Sequence, residues 1–183
     1  LNGFVLSRYR FRGATLLFAL FVGGNFLPHQ ILMIPVRDLM VKAGLYDTFY
    51  ALILFHVAFQ TGFATLFMRN FIASLPGELF DAARAEGVSP PKVLWYIVVP
   101  LLRPALAALA VLTFTFIWND YFWAVVLTQS DSVKPVTAGL ANLKGEWLSA
   151  WNVVAAATMI AAIPPVTMFF LMQRHFIAGL TAG

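Results

Sequence analysis

The sequence predicts an all-α, polytopic integral membrane protein. Apolar residues make up 61% of the chain, charged residues only 11%, and the mean hydropathy is +0.81. A soluble domain is about half apolar and about a quarter charged. Four apolar runs are long enough for a helix that crosses a bilayer, which needs about 20 residues. They cover about Ala14–Ile34, Thr48–Met68, Ala105–Leu127 and Trp151–Met172. A buried soluble helix seldom stays apolar on all sides for that length. Residues 1–183 therefore read as one transmembrane domain with four spans.

Charge orients the spans. Arg8, Arg10 and Arg12 precede the first span, Arg69, Arg84, Lys92 and Arg103 lie between the second and third, and Arg174 follows the fourth. These are eight of the twelve basic residues. The opposite loops hold Arg37, Lys42, Lys134 and Lys144, matched by Asp38, Asp47, Asp131 and Glu146. Basic residues collect on the cytoplasmic side, so the start, the central loop and the C-terminus are expected there. The net charge of +4 is modest and reads as this sidedness, so nucleic acid is a poor partner. Trp118, Trp123, Trp147 and Trp151 fall toward the outer ends of spans three and four, where an aromatic belt belongs. Cysteine is absent, which excludes a disulfide framework and a thiolate metal site.

The opening LNGFVLSRYRFRG has no initiator Met and puts a short apolar stretch before the basic cluster. It reads as the cytoplasmic end of a helix whose earlier part is missing, or as a short leader. No cleavable signal peptide is recognisable, because the first apolar run has full spanning length. In the first outer loop Val36, Leu39, Met40 and Ala43 share a helical face, as in a helix lying in the interface. The second outer loop predicts a short helix around Thr137–Leu143. Lipid contact is the default for both, and docking of an external partner the sharper reading.

The central loop, 74–104, is charged and twice broken. Ser74 and Pro76 suit a helix start, as cap and first-turn proline. Glu78 to Glu86 favour helix, and Gly87 can take the left-handed conformation that ends one. Ser89-Pro90 restarts a helix with Val93, Leu94, Ile97 and Val98 on one face, and Pro100 and Pro104 close it. Ala82, Ala83 and Ala85 make the first helix thin enough for a groove on another protein, with Asp81, Arg84 and Glu86 free for ion pairs. An amphipathic surface helix lying on lipid accounts for the same pattern.

Polar residues inside the spans are few. Asp120, in WNDYFW, is the formal charge within a span. Intramembrane acids are costly and face a cavity or a partner. Lining of a path and structural hydrogen bonding both remain open for it. His56 and Gln60 share a helical face, as do Asn119 and Trp123, and Tyr121 adjoins Asp120. A path for a polar solute wants such hydrogen-bonding groups beside aromatic faces, while interhelical hydrogen bonding is the slightly better explanation of His56. No metal-ligand spacing occurs near His29, His56 or His175. Pro28 and Pro164-Pro165 are expected to kink spans one and four.

The loop resembles the coupling loop of binding-protein-dependent ABC importer permeases. That family's Glu-Ala-Ala, two residues, Asp-Gly, nine residues, Ile-x-Leu-Pro reads here as Asp81-Ala82-Ala83, Glu86-Gly87, then Ile97-Val98-Val99-Pro100. The glycine-to-proline spacing is intact, the acids are exchanged in type, and Val99 replaces Leu. SRYRFRG, LMVKAGLYDTFYALIL, FMRNFIASLPGEL, FTFIWNDYFWAVVL and QRHFIAGLTAG resemble the carbohydrate, maltose-type branch, so the likeness runs over essentially the whole chain. It implies the type I importer permease fold, two further N-terminal helices, and a place in a bacterial or archaeal cytoplasmic membrane. It also implies a second permease subunit, two ATPase subunits that bind ATP and Mg, and an external solute-binding protein. Asp81, Ala82, Ala83, Arg84, Glu86 and Gly87 would then contact an ATPase, and Pro90, Ile97 and Pro100 would shape the loop. The chain itself has no G-x-x-x-x-G-K-[ST] loop and no expected cofactor. An ion-driven transporter would want more buried ionisable groups and internal repeats. A membrane enzyme would want a nucleophile with its base, paired acids or a metal cluster within the spans.

Overall fold

Helices form where the apolar runs predict them, but they break where glycine, asparagine and proline interrupt those runs. A computed structural model describes residues 1–143 and 150–181, without the side chains of residues 29 and 174–181. The helices are α1 (Asn2–Arg8), α2 (Ala14–Gly24), α3 (Met33–Lys42), α4 (Phe49–Ser74), α5 (Gly77–Ala85), α6 (Pro90–Val93), α7 (Val99–Leu101), α8 (Arg103–Trp118), α9 (Phe122–Leu127), α10 (Val136–Asn142) and α11 (Trp151–Thr181). A 3₁₀ turn, His29–Leu32, precedes α3, and a π-helical turn, Leu94–Val98, joins α6 to α7.

The expected first span, 14–34, is not one helix. α2 stops at Gly23-Gly24-Asn25, and Pro28 follows in an extended conformation. Glycine is the weakest ordinary helix former, and the residue before proline is pushed out of the helical region. The expected third span is likewise divided: α8 ends at Trp118 and α9 starts at Phe122, with Asn119–Tyr121 between. The second span is longer than expected, because α4 runs on to Ser74. Among the described residues, Phe49–Ser74 and Trp151–Gln173 are long and apolar enough to cross a membrane. Pro90–Leu101 and Arg103–Trp118 pass that test together but meet at a bend of 78°.

Pro164 and Pro165 do not stop α11. Pro165 has no N–H to give to the carbonyl of Ala161, four residues back. The indole Nε1 of Trp118 donates to that carbonyl at 3.1 Å instead. A donor from a neighbouring helix is what lets proline persist in a membrane helix. Trp118 is therefore turned toward protein, and Trp123 is 2% exposed, so neither stands in an outer belt. Trp151 is 67% exposed, as a belt residue should be. The expectations for Lys144, Glu146 and Trp147 fall outside the described residues.

The chain divides into two compact units. One comprises Leu1–Phe26, Gln60–Leu112 and Leu171–Gly183. Its core is Phe4, Ile72, Ala83, Val93, Leu94, Val98, Leu102 and Ala105. Close approach in this unit depends on glycine: a Cβ at Gly62 would overlap Asn25 Nδ2 and the carbonyl oxygen of Phe21. The other unit comprises Leu27–Phe59 and Thr113–Phe170. Its core is Met40, Ala51, Leu52, Phe55, Trp123 and Leu127, with the Phe55 and Trp123 ring centroids 3.8 Å apart. Met40 and the half-buried Val36 turn α3 toward this core, whereas Leu39 stays 60% exposed. The α3 face expected to lie on lipid is thus partly a protein contact. Here Asp47 takes a left-handed conformation, φ 59°, and donates its N–H to Leu127 O. Its Oδ1 accepts the N–H groups of Gln129 and Ser130 at 2.7 and 2.9 Å, and its Oδ2 accepts the Ser130 hydroxyl.

Two predictions follow from these contacts. Gly62→Val should destabilise the protein by about 1–3 kcal/mol through overpacking, since the Phe21 backbone cannot swing away. Gly139→Ala is the control, because nothing lies within 4 Å of a Cβ there. Thermal unfolding in detergent micelles should fall for the first variant and not the second.

The hydrogen bonds from Ser130 and Gln129 hold the Asp47 carboxyl below its ordinary value of 3.8. A depressed folded-state pKa contributes stability that is present above the ordinary value and is lost as pH falls through the lower, folded value. Amide exchange at Gln129 and Ser130 should stay slow down to about that ordinary value and accelerate below it. Asp47→Ala should make both amides fast at every pH. Slow exchange in the alanine variant would show that the carboxylate does not hold this loop.

Candidate functional site

The charged loop starts where α4 ends, and it is held from beneath by Arg8. The Arg8 guanidinium donates to Ile72 O at 2.5 Å and to Leu75 O at 2.8 Å. It also lies over the Phe80 ring, 3.8 Å from the centroid. One side chain thus caps the last turn of α4 and packs on α5. Ser74, expected to cap α5, instead donates its hydroxyl back to Phe71 O at 2.8 Å, inside the end of α4. Pro76 is the N-cap of α5 rather than its first helical residue.

α5 turns Asp81, Ala82, Arg84, Ala85 and Glu86 outward. Ala83 is the exception to the expected contact set, at 4% exposure against Phe4, Ile72 and Val98. Helical spacing decides this: with Phe80 half-buried, the residue three further on falls on the same inner face. Asp81 and Arg84 pair with each other at 3.3 Å, both largely exposed. Such a surface pair contributes little to stability, so both groups stay available to a partner.

Gly87 ends α5 as expected, with φ +71°. Its N–H bonds to Arg84 O at 3.0 Å, and the N–H of Val88 reaches back to Ala83 O at 2.9 Å. These crossed bonds satisfy two carbonyls that a helix end would leave bare. Val88 packs on the same core as Ala83, which completes the cap with an apolar contact. Ser89 then starts α6 with Pro90 in its first turn. The second loop helix ends between Pro100 and Pro104 as expected, but it is not regular throughout. It widens into the π turn Leu94–Val98 and continues to Leu101. Pro100 has no N–H for Tyr96 O, and a widened turn accommodates the ring at that point. Ile97 is half-buried against the core, while Trp95 and Tyr96 are 65% and 78% exposed. These two outward aromatics were not among the residues singled out from the sequence. Nor was the clamp of Arg8, whose partners lie more than 60 residues away and leave no local signal.

A second polar cluster sits at the break between α8 and α9. His56 Nε2 lies 3.5 Å from Asp120 Oδ2, the two side chains being 13% and 16% exposed. At that distance they attract when His56 is protonated, but they do not form a hydrogen bond. Asp120 Oδ2 is consequently buried without a donor. Oδ1 accepts the Trp123 N–H at 3.3 Å, and Thr137 donates its hydroxyl to Asp120 O at 2.9 Å. Tyr121 is the N-cap of α9 and is half exposed. Asn119 turns back to donate to Thr115 O at 2.9 Å. Gln60 follows His56 by one turn of α4 but belongs to the other compact unit. The structure thus places His56 beside Asp120, whose Oδ1 in turn holds the Trp123 amide, while the Asn119 side chain bonds within its own helix. No group of three metal-ligating side chains occurs among the described residues.

Comparison with known proteins agrees with these features. A protein named "Probable ABC transporter permease protein" from Pyrococcus horikoshii is 35% identical over 99% of this chain and 66% of its own length. The arabinooligosaccharides transport system permease protein AraQ of Halalkalibacterium halodurans is 35% identical over 99% of this chain and 64% of its own length. The chain therefore spans about two thirds or less of these relatives. The crystal structure of a bacterial ABC transporter involved in the import of the acidic polysaccharide alginate aligns with a TM-score of 0.74 and 25% identity. That alignment covers 95% of this chain and 66% of the solved one. The family model for the binding-protein-dependent transport system inner membrane component matches residues 2–181. With the likeness running from the Arg8 clamp through the capped loop to α11, the chain belongs to the family of inner membrane components of binding-protein-dependent transport systems.

Proposed function

We propose that the chain is a permease subunit of an ATP-driven importer, and that it takes up the ATPase stroke through the loop Asp81–Pro100. The observation that carries this reading is the construction of the loop. A short helix is capped at Gly87, seated on its own core by Ala83 and Val88, and bare on its polar face. A lever must be stiff and must make different contacts in two states. Seating on the core supplies stiffness, and the exposed Asp81, Ala82, Arg84, Glu86 and Gly87 supply the contact.

In this reading two ATPase subunits bind ATP and Mg, a second permease subunit completes the pathway, and an external binding protein delivers the solute. In the same reading the loop and the C-terminal end of α11 face the cytoplasm, which the distribution of basic residues supports. The solute class is a sugar or a related polyhydroxylated compound. The relatives' names support that choice, since one is a transport permease for arabinooligosaccharides and one solved transporter imports alginate. The pair His56–Asp120 fits the path. A buried carboxylate oxygen without a donor is an acceptor for a solute hydroxyl, and Tyr121 presents an exposed aromatic ring and hydroxyl beside it.

Two predictions test the loop. In the full-length permease assembled with its partners, a cysteine at Ala82 should cross-link to a cysteine in the ATPase cleft. A cysteine at Ala83, which is turned inward, should not. Cross-linking from Ala83 alone, or from no position in 81–87 of a complex that still transports, would reject this docking face.

Gly87→Val should uncouple transport. A Cβ at Gly87 would meet nothing within 4 Å, so the cost is confined to the backbone. Holding a β-branched residue at positive φ costs at least about 1–2 kcal/mol. Unwinding the cap relieves that strain and moves Asp81 and Arg84 away from their seat. In proteoliposomes the variant should insert normally but bind the ATPase weakly, or hydrolyse ATP without solute uptake. Parental uptake would disqualify the capped helix as the lever.

A further inference from the structure

We propose that the cavity beneath the start of α2 binds the phosphate of an anionic phospholipid. The cavity encloses about 520 Å³ and is lined on its polar side by Ser7, Tyr9, Arg10, Thr15 and Arg69. Two arginines and three hydroxyl-bearing residues line it, the Ser7 hydroxyl donating to Phe4 O, and no acidic residue does. Among the described residues, neither Arg10 nor Arg69 has an ion-pair partner. Arg69 is fixed in place. Its Nε donates to Leu6 O at 3.3 Å and its plane lies over the Phe18 ring, 4.2 Å from the centroid. A guanidinium oriented in this way is suited to phosphate oxygens, which it meets with paired N–H groups.

The position of the cavity selects a lipid over a free anion. It lies where the apolar run of α2 begins and where that of α4 gives way to Arg69-Asn70. Both boundaries mark the headgroup level of a bilayer. Directly beyond it, Leu16 and Leu20 stand one turn apart on α2, 65% and 64% exposed. A phosphate in the cavity would therefore lead into hydrocarbon running along α2. One amphiphile matches both surfaces, whereas inorganic phosphate matches only the first. Basic pockets between membrane helices are general sites for anionic headgroups. The inference depends on the chain's membrane location and not on the importer cycle, so its test involves no transport.

The full-length permease in its assembled complex is equilibrated with equimolar phosphatidylglycerol and phosphatidylcholine. It is then extracted, and the retained lipids are counted by native mass spectrometry. Phosphatidylglycerol should be enriched. About 1 kcal/mol for each basic residue near a phosphate corresponds to about fivefold. Arg10→Gln should thus lower the enrichment about fivefold, and Arg10→Gln with Arg69→Gln about thirtyfold. Arg69→Lys should retain most of it, which separates charge from folding. Arg12→Gln, outside the cavity, should change nothing. Equal retention of the two lipids would overturn the site, as would happen if a carboxylate of another subunit filled the cavity. A loss in Arg12→Gln equal to that in Arg10→Gln would reduce it to diffuse surface attraction. Binding of inorganic phosphate to the delipidated complex as tightly as phosphatidylglycerol would make it a small-anion site and overturn the lipid assignment.

Discussion

Lipid offers no hydrogen bonds, so every backbone group released where a helix breaks must find a partner inside the protein. This chain breaks its helices often, and its long-range polar contacts are the consequence. Arg8 supplies donors to Ile72 O and Leu75 O at the end of α4. Trp118 supplies one to Ala161 O, left bare by Pro165. Asp120 accepts the Trp123 N–H at the start of α9, and Asp47 accepts the amides of Gln129 and Ser130 after its end. The contacts of Arg8, Trp118 and Asp120 are part-buried and pair groups that are costly to leave bare, whereas those of Asp47 lie at the surface and order a loop. All but the local Asp120–Trp123 bond also tie distant stretches of chain to one another.

The charged loop profits from this economy of donors. Its first helix has nine residues, too few to be stable alone in water. The crossed bonds at Gly87 close its end, and Ala83 and Val88 seat it on the core that holds Phe4 and Ile72. Arg8 touches both the last turn of α4 and the ring of Phe80. A displacement of α5 is therefore felt at the end of a 26-residue helix. The exposed charges of the loop add little to its stability, which leaves them free to serve recognition.

The cluster at the α8–α9 break obeys the opposite logic. His56 and Asp120 face each other at a distance too long for a hydrogen bond, and Asp120 Oδ2 and Trp123 Nε1 are buried without partners. Among the described residues, Arg8 Nε is the other buried side-chain nitrogen or oxygen without a partner. This pair of unsatisfied groups lies beside an exposed tyrosine and at a divided span, and a buried polar atom left unpaired carries a cost that packing alone does not return.

Much of this was legible in the sequence, because it depends on local periodicity and on single-residue backbone chemistry. The long helices over the second and fourth apolar runs, the short helix at Val136–Asn142 and the left-handed Gly87 are of that kind, whereas the breaks in the first and third runs were not foreseen. So is the motif from Asp81 to Pro100, whose spacing is itself the information. What the sequence could not decide was which way side chains turn and which distant carbonyl a donor reaches. Ala83 reads like Ala82 and Ala85 until a core lies beneath it. Trp118 and Trp123 read as belt residues until Ala161 and Phe55 claim them. Arg8 reads as one more inside charge. Its role depends on contacts across more than 60 residues, and only the packed structure brings those atoms together.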